Sequence, residues 1–194
     1  MAQTMLFTIG ADASCSDGAC GQVSRVIVNP VAREVTHLVV DPKYRHNSGR
    51  LVPVDLVDAT TGQIRLRCTL AELQTLQPAE KTESVTNLGS DRAPGRGHPM
   101  PGPRQVTVDC VPSGEVDVRP GLTVCATDGE IGQVHGLVVE PGGHRVTHVL
   151  LKEGHIWGHK EVAIPISAVT KIGTMLIHPS ITKHQVETLP TRGH

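Results

Sequence analysis

Histidine offers the most opportunity for chemistry in this chain, because 11 of its 194 residues are His. His155 and His159 are four residues apart, a spacing that on a helix places two side chains on one face, where they could bind a metal ion. Gly158 lies between them and favours a loop, in which the same spacing fixes no ligand geometry. We therefore predict an exposed pair of histidines and no metal site.

Two further histidines, His37 and His148, occupy the same place in two similar segments, Val35-Thr36-His37 and Val146-Thr147-His148. On a strand, alternate residues share a face, so each histidine would have apolar neighbours. One interpretation is structural, with each imidazole hydrogen-bonded at the rim of a sheet. The other is a pair of pH-sensitive groups, because the charge of imidazole changes near neutral pH. Histidines buried in the neutral form would then destabilise the fold in mild acid.

The five cysteines give an odd count and no C-x-x-C pair, unlike the framework of a small disulfide-rich secreted protein. Cys15 and Cys20 flank an Asp-Gly turn, but a zinc or redox site would need a tighter pairing and a fourth ligand. The sequence also lacks a phosphate-binding loop, an H-E-x-x-H motif and a G-x-S-x-G nucleophile turn. We predict no catalytic residues, no bound cofactor and a non-enzymatic function.

Charge and composition narrow the range of partners. The chain has 18 Lys and Arg against 19 Asp and Glu, whereas a protein that binds nucleic acid usually has a basic surplus. With one Phe, one Tyr and one Trp, it has no stacking platform for single-stranded bases. No apolar run approaches the roughly 20 residues that span a bilayer, and the N-terminus does not resemble a signal peptide. We predict a cytoplasmic protein with no transmembrane segment and no direct contact with nucleic acid.

The strands and turns that position the histidines and cysteines belong to a segment that occurs twice in the sequence. Asp17–Val23, with the pattern Asp-Gly-x-x-Gly-Gln-Val, recurs as Asp128–Val134 at an offset of 111 residues. The two Val-Thr-His segments keep this offset, and Val52-Pro53-Val54 matches Ile164-Pro165-Ile166 one inserted residue later. A match that runs in order over about 70 residues indicates a duplicated unit.

Each unit has the pattern of short β-strands. Runs rich in Val and Ile follow the Asp-Gly turns, and second runs follow short turns that contain proline. A third strand is expected to end at Pro53 in one unit and at Pro165 in the other, at a sheet edge, because proline cannot donate a ladder hydrogen bond. The first two strands of each unit are predicted over residues 22–28, 34–40, 133–139 and 145–151.

A short helix is predicted to follow the strands, because Thr69-Leu70-Ala71-Glu72 has the spacing of a capping box, with a weaker equivalent over Ser180–Leu189. Several closely spaced strands in so small a unit favour a closed β-barrel, which leaves no unpaired edge. The stretch between the units is rich in proline and glycine and predicts a flexible linker. The predicted fold is therefore all-β, with a first barrel over 1–78, a linker over 79–104 and a second barrel over 105–194.

The order of these motifs resembles the PRC-barrel family, present here as two tandem copies over about Thr8–Pro78 and Gly121–Pro190. The family includes the cytoplasmic domain of the photosynthetic reaction centre H subunit, which supports proton delivery to a quinone site. It also includes a ribosome maturation factor, whose barrel engages a small-subunit ribosomal protein. The resemblance implies small β-barrels and no set of catalytic residues. The chain lacks the transmembrane helix of the H subunit and the different N-terminal domain of the maturation factor.

The resemblance and the duplication together predict a protein-binding adaptor or scaffold, whose partner is another protein or a second copy of the chain. The alternatives are an accessory subunit of a photosynthetic or other electron- or proton-transfer complex, and a ribosome-associated maturation factor. Two loops that differ between the units contain the only Tyr and the only Trp, residue types enriched at binding hot spots, although each could instead cap its own barrel. The candidate partner-binding residues are Tyr44, His46, His155, Trp157 and His159.

Overall fold

The computed structural model of the chain consists mainly of β-strands, as predicted. It describes residues 5–42, 48–60, 63–85, 104–140, 142–153, 161–189 and 191–192. Two short α-helices occur in this part of the chain, α1 (Leu70–Thr75) and α2 (Lys183–Glu187), at the two predicted places. Thr69 caps α1 in a capping box with Glu72, which confirms the interpretation of the Thr-x-x-Glu spacing, and Thr182 caps α2 in the same way with Gln185.

The N-terminal sheet contains six strands that follow one another along the chain before α1. They are β2 (Asp12–Cys15), β3 (Gly18–Asn29), β4 (Glu34–Asp41), β5 (Arg50–Pro53), β6 (Val57–Thr60) and β7 (Gln63–Leu66). The strands lie in the order β5-β4-β3-β2-β7-β6. All neighbours are antiparallel except β2 and β7, which are parallel.

A C-terminal sheet has the same strand order. Its strands are β11 (Thr123–Ala126), β12 (Gly129–Val139), β13 (Val146–Glu153), β14 (Glu161–Pro165), β15 (Val169–Ile172), β16 (Leu176–Pro179) and β17 (Thr191–Arg192). The order is β14-β13-β12-β11-β16-β15, with β17 added beside β14. As predicted, β5 and β14 end at Pro53 and Pro165, and a turn of 3-10 helix follows each, over Val54–Leu56 and Ile166–Ala168. Within the described residues, no ladder joins the two end strands of either sheet.

Each sheet also receives one strand from the other half of the chain. The exchanged strands are β1 (Met5–Thr8) and β10 (Val116–Val118). β1 pairs with β12, and β10 pairs with β3. The two registers are related by the offset found in the sequence, since Met5 lies opposite Val139 and Val116 lies opposite Val28. The exchange is therefore reciprocal, and neither sheet is complete without residues from the other half.

A second reciprocal contact joins the starts of β4 and β13. The amide of Val35 donates to the carbonyl of His144, and the amide of Val146 donates to the carbonyl of Arg33, both at 2.8 Å. Arg33 has a φ of 57°, and its guanidinium donates to two backbone carbonyls of the C-terminal half at 3.1 and 3.2 Å. A left-handed backbone is costly for a residue with a Cβ, so these contacts must hold the turn in place.

One hydrophobic core extends through both halves of the chain. It is built mostly of Val, Leu and Ile, as the low aromatic content requires. The single phenylalanine, Phe7, is 0 % exposed and lies on β1, and Val118 on β10 is 1 % exposed. Because the exchanged strands bury side chains in this shared core, hydrophobic stabilisation couples the two halves, and we expect them to unfold together.

The repeated Asp-Gly motif has the same structural role in both halves of the chain. The carboxylate of Asp17 accepts a hydrogen bond from the amide of Leu70 at 2.9 Å, and that of Asp128 accepts one from the amide of Lys183 at 2.9 Å. Each aspartate thus ties its turn to the first residue of a helix. At Gly21, with φ +153°, a Cβ would overlap a backbone carbonyl at the end of β4, so only glycine fits there.

The structure differs from the predicted linker over 79–104 at both of its ends. β8 (Glu80–Val85) and β9 (Arg104–Asp109) form an antiparallel hairpin, which we call the arm. The rest of the predicted linker, residues 86–103, lies outside the described residues. β8 lies inside the predicted linker, whereas β9 begins at its last residue and continues into the predicted second barrel. In β9, Val106 and Val108 alternate with polar residues, a pattern typical of a strand with one apolar face.

Candidate interaction site

The structure does not place the residues that the sequence predicted to bind a partner. They belong to the segments between β4 and β5 and between β13 and β14, in parts of the chain that are not described. Their binding role and their alternative role as caps both stay predictions. These residues are Tyr44, His46, His155, Trp157 and His159.

His37 and His148 lie at matching positions, each opposite the proline that ends the neighbouring strand. Both are half-buried, but their polar neighbours differ. Nδ1 of His37 lies 3.7 Å from Oε2 of Glu115, which belongs to the other half of the chain. Nδ1 of His148 lies 3.1 Å from the hydroxyl of Thr147. Each imidazole therefore has a polar neighbour on an interior strand of its sheet, and a pH-sensitive role for the pair stays a prediction.

The threonine before each of these histidines is the extra residue of a β-bulge. The ladder shifts register between Ile27 and Val28 and again between Val138 and Val139, which leaves Thr36 and Thr147 without a partner across the strand pair. The hydroxyl of Thr147 donates to the carbonyl of Val138 at 3.1 Å. That of Thr36 lies 3.3 Å from the equivalent carbonyl of Ile27 and donates at 2.7 Å to Oε2 of Glu115. The repeated Val-Thr-His segment therefore has a local structural cause.

Cys15, Cys20 and Cys68 form a group of free thiols in the core, which we call the thiol cluster. Each is at most 9 % exposed. Burial raises the pKa of Cys15 and of Cys20, and contact with the two neighbouring thiols raises the pKa of Cys15 further. Cys15 and Cys20 therefore stay protonated at neutral pH and are weak nucleophiles. No group of three or more His, Cys, Asp or Glu in the described segments is arranged to hold a metal ion.

Five charged side chains meet where the arm joins the N-terminal sheet, and we call them the charge cluster. They are Arg25, Glu80, Asp109, Asp117 and Arg119. Arg25 on β3 donates to Glu80 at the start of the arm, to Asp109 at its end at 2.8 Å, and to Asp117 on the exchanged β10 at 3.4 Å. Arg119 donates to Asp109 at 2.8 Å and also to Asp117. The cluster therefore links four segments of the chain.

Most of the charge cluster is shielded from water. The side chains of Arg25, Glu80 and Asp117 are 13 %, 10 % and 4 % exposed. Hydrogen bonds from Arg119 and then Arg25 lower the pKa of Asp109, which keeps this carboxylate charged in mild acid. Removal of one member would leave a buried charge without compensation, so the cluster fixes the arm and β10 to the sheet.

A second, smaller hydrophobic cluster supports the same junction. Ile27, Val39 and Leu51 are at most 5 % exposed and pack with Ala79, apart from the main core. Ala79 precedes the arm, and its carbonyl accepts a hydrogen bond at 2.7 Å from the amide of Cys110, which follows the arm. The base of the arm is therefore held by apolar packing, a backbone hydrogen bond and the charge cluster together.

Beyond its base, residues 81–84 and 105–108 of the arm are exposed. Lys81 lies opposite Val108 and Glu83 lies opposite Val106, so these four side chains share one face. The two valines are 42 % and 44 % exposed, which is unusual for side chains of their size in this chain. Within the described residues, β8 and β9 pair only with each other, so each has one unpaired edge. An unpaired edge beside exposed valines is a surface on which another chain can add a strand.

The arm and the charge cluster were not predicted from the sequence. Arg25 interrupts a run of Val and Ile, which was a sign that its strand meets charged groups. Its partners could not be found in this way, because Glu80 and Asp109 are 55 and 84 residues away. The alternation around Val106 was visible, but residues 105–194 were assigned to the second barrel and the prolines and glycines before them to a linker, so the pairing of β9 with β8 was not predicted.

Comparison with protein families identifies part of the chain. The PRC-barrel domain matches residues 121–185, a stretch that contains β11 to β16 and the start of α2. The C-terminal half therefore contains a PRC-barrel domain. The family match does not include the N-terminal sheet, although its strand order is the same. No curated protein matches the chain. None of the helices in the described segments has the length and apolar character needed to cross a membrane.

Proposed function

We propose that the chain is a non-enzymatic tandem PRC-barrel protein that acts as a protein-binding adaptor or scaffold in the cytoplasm. The match over residues 121–185 supports this proposal, because PRC-barrel domains commonly mediate protein interaction. The N-terminal sheet is proposed to be a second copy of the domain. Its support is the strand order and the reciprocal register of β1 and β10, which relate the two halves by one offset.

The observation that carries the proposed function is the arm. It presents an unpaired strand edge and two exposed valines on a base that the charge cluster holds in place. Binding surfaces work best when a rigid scaffold positions them, because less conformational entropy is lost on binding. The reciprocal exchange of strands supplies such a scaffold, since it joins both sheets into one core.

The test is affinity capture from lysate with the tagged full-length chain, followed by quantitative mass spectrometry. Three baits are compared: the wild type, the double variant Val106→Ser/Val108→Ser, and the control Val31→Ser. Val31 is 90 % exposed in the turn between β3 and β4, so its replacement changes an exposed valine away from the arm. We expect at least one protein that the wild type and the control capture and the double variant loses.

Two results would contradict the proposal. One is a set of captured proteins that does not depend on the arm. The other is turnover of a small-molecule substrate by the purified chain. The identity of an arm-dependent partner also separates the alternatives: a small-subunit ribosomal protein would favour ribosome maturation, and a pigmented membrane complex would favour the electron- or proton-transfer role.

A further inference from the structure

We propose that the unpaired edge of β9 pairs with the same edge of a second copy of this chain, which forms a two-fold symmetric dimer with a continuous four-stranded sheet. This inference rests on the arm as the binding surface of the proposed function. It commits that surface to one partner, a second copy, and to one register.

The two edges of the arm differ in how they are protected. Between its ends, β8 carries the exposed charges Lys81 and Glu83, and charges on an edge strand are the usual protection against pairing with another chain. On β9, the stretch Gln105-Val106-Thr107-Val108 has no charged residue and is rich in β-branched side chains, which favour strands. All four of these residues are exposed. The edge of β9 is therefore the one suited to accept another strand.

A strand that pairs antiparallel with a copy of itself has few allowed registers. In an antiparallel pair, two opposite residues both point their backbone N–H and C=O groups toward the other strand, or both point them away from it. Along one strand, successive residues alternate between these two states. The two-fold axis must therefore pass through a residue, and on this edge the central choices are Val106, Thr107 and Val108. All of these keep the same face of both arms on the same side of the new sheet.

The side chains favour the axis at Thr107. In that register Val106 lies opposite Val108 of the second copy, and the same pair occurs again by symmetry, so each valine faces a valine of the other copy. Gln105 lies opposite Asp109, and its amide can donate to that carboxylate. An axis at Val106 would place Val108 opposite Arg104, and an axis at Val108 would place Val106 opposite Cys110. Only the axis at Thr107 matches apolar with apolar and donor with acceptor along the edge.

The same arrangement keeps the charges of β8 apart. Each row across the four strands would read Lys81, Val108, then Val106 and Glu83 of the second copy, so the ends of a row have opposite charge. The base of the arm lies at the Glu80 and Asp109 end in each copy, and antiparallel pairing puts these bases at opposite ends of the shared sheet. The two bodies therefore point away from each other.

Sedimentation velocity of the full-length chain over a range of concentrations tests the dimer. Thr107→Lys would place two ammonium groups opposite each other at the axis, which we expect to raise the dimer Kd by about tenfold or more. Thr82→Lys is the matched control, because Thr82 lies directly across the arm from Thr107 but on the protected strand. We expect the control to keep the dimer.

A cysteine scan tests the register. At the axis, opposite Cα atoms lie about 4.5–5.5 Å apart, within the range of a disulfide. Thr107→Cys should therefore give an intermolecular disulfide under mild oxidation, above the level of the wild type. Gln105→Cys should not, because the two copies of residue 105 would be separated by about 13 Å along the strands.

The inference is overturned if the wild type stays monomeric at its highest soluble concentration, if Thr82→Lys weakens the dimer as much as Thr107→Lys, or if Gln105→Cys cross-links better than Thr107→Cys. A monomeric wild type that still captures an arm-dependent partner would overturn the dimer and leave the proposed function standing. A dimer that depends on Thr107, without arm-dependent capture of any other protein, would support the dimer and overturn the proposed adaptor function.

Discussion

Replacement of Arg25 by methionine tests whether the charge cluster holds the arm and β10 to the N-terminal sheet. Methionine keeps much of the length and apolar volume of the stem but removes the guanidinium. Glu80, whose side chain is 10 % exposed, then loses its ion-pair partner, and Asp117, at 4 % exposed, loses one of two. Removing one partner of a buried ion pair typically costs about 3–5 kcal/mol, because the remaining charge stays buried without compensation.

This loss is large enough to measure. In a protein of this size, 1 kcal/mol shifts Tm by roughly 2–4 °C, so Arg25→Met should lower Tm by about 6–20 °C. The assay is thermal and urea unfolding of the full-length chain, followed by circular dichroism. Arg67→Met is the matched control, because Arg67 pairs with Asp58 at 2.6 Å but both side chains are more than half exposed. An exposed pair contributes about 0–1 kcal/mol, so the control should change Tm little.

A double-mutant cycle separates the ion pair from the packing of the arginine stem. Glu80→Gln in the Arg25→Met background should recover part of the stability, because it removes the uncompensated charge. If Arg25→Met and Arg67→Met lower the free energy of unfolding equally, or if Glu80→Gln destabilises both backgrounds by the same amount, the charge cluster is not the attachment that we describe.

Other parts of the fold make separate predictions. Gly21→Ala should cost at least about 2 kcal/mol more than Gly10→Ala, measured by urea unfolding, because a Cβ at Gly21 strikes backbone whereas Gly10, at φ +90°, has open space. Thiol titration at neutral pH should label only two of the five cysteines in the folded chain, and rapid labelling of the thiol cluster would contradict its burial. The pKa of Asp109 is lowered by folding, so its contribution to stability is present above the unfolded pKa of about 3.9 and is lost as pH falls through the folded value. Asp109→Asn should therefore be less stable than the wild type at neutral pH and lose less stability on acidification, and parallel curves would contradict this. Comparison of the wild type with His37→Gln/His148→Gln between about pH 8 and pH 5 decides the histidine interpretation, since equal pH slopes would mean that neither histidine is pH-sensitive.

Local features of the fold could be predicted from the sequence because they depend on residues close together in the chain. The capping box at Thr69, the strand ends at Pro53 and Pro165, and the strands after the Asp-Gly turns are where the patterns indicated. The candidate binding residues were predicted only from their residue type and their position in loops. Neither property shows which other residues a side chain contacts in the folded chain.

The sequence by itself determined the strand content, the similar order of motifs in the two halves, and the turns and caps of each half. Only the tertiary structure decided that β1 pairs with β12 and β10 with β3. The motif pattern could not decide these pairings, because β3 and β12 have similar sequences. Either of them could therefore pair with β1, and either with β10. The choice depends on how the chain enters each sheet and on the shared core that the exchange creates. The charge cluster has the same cause, since Arg25, Asp109 and Asp117 meet only after the exchange brings β10 to β3.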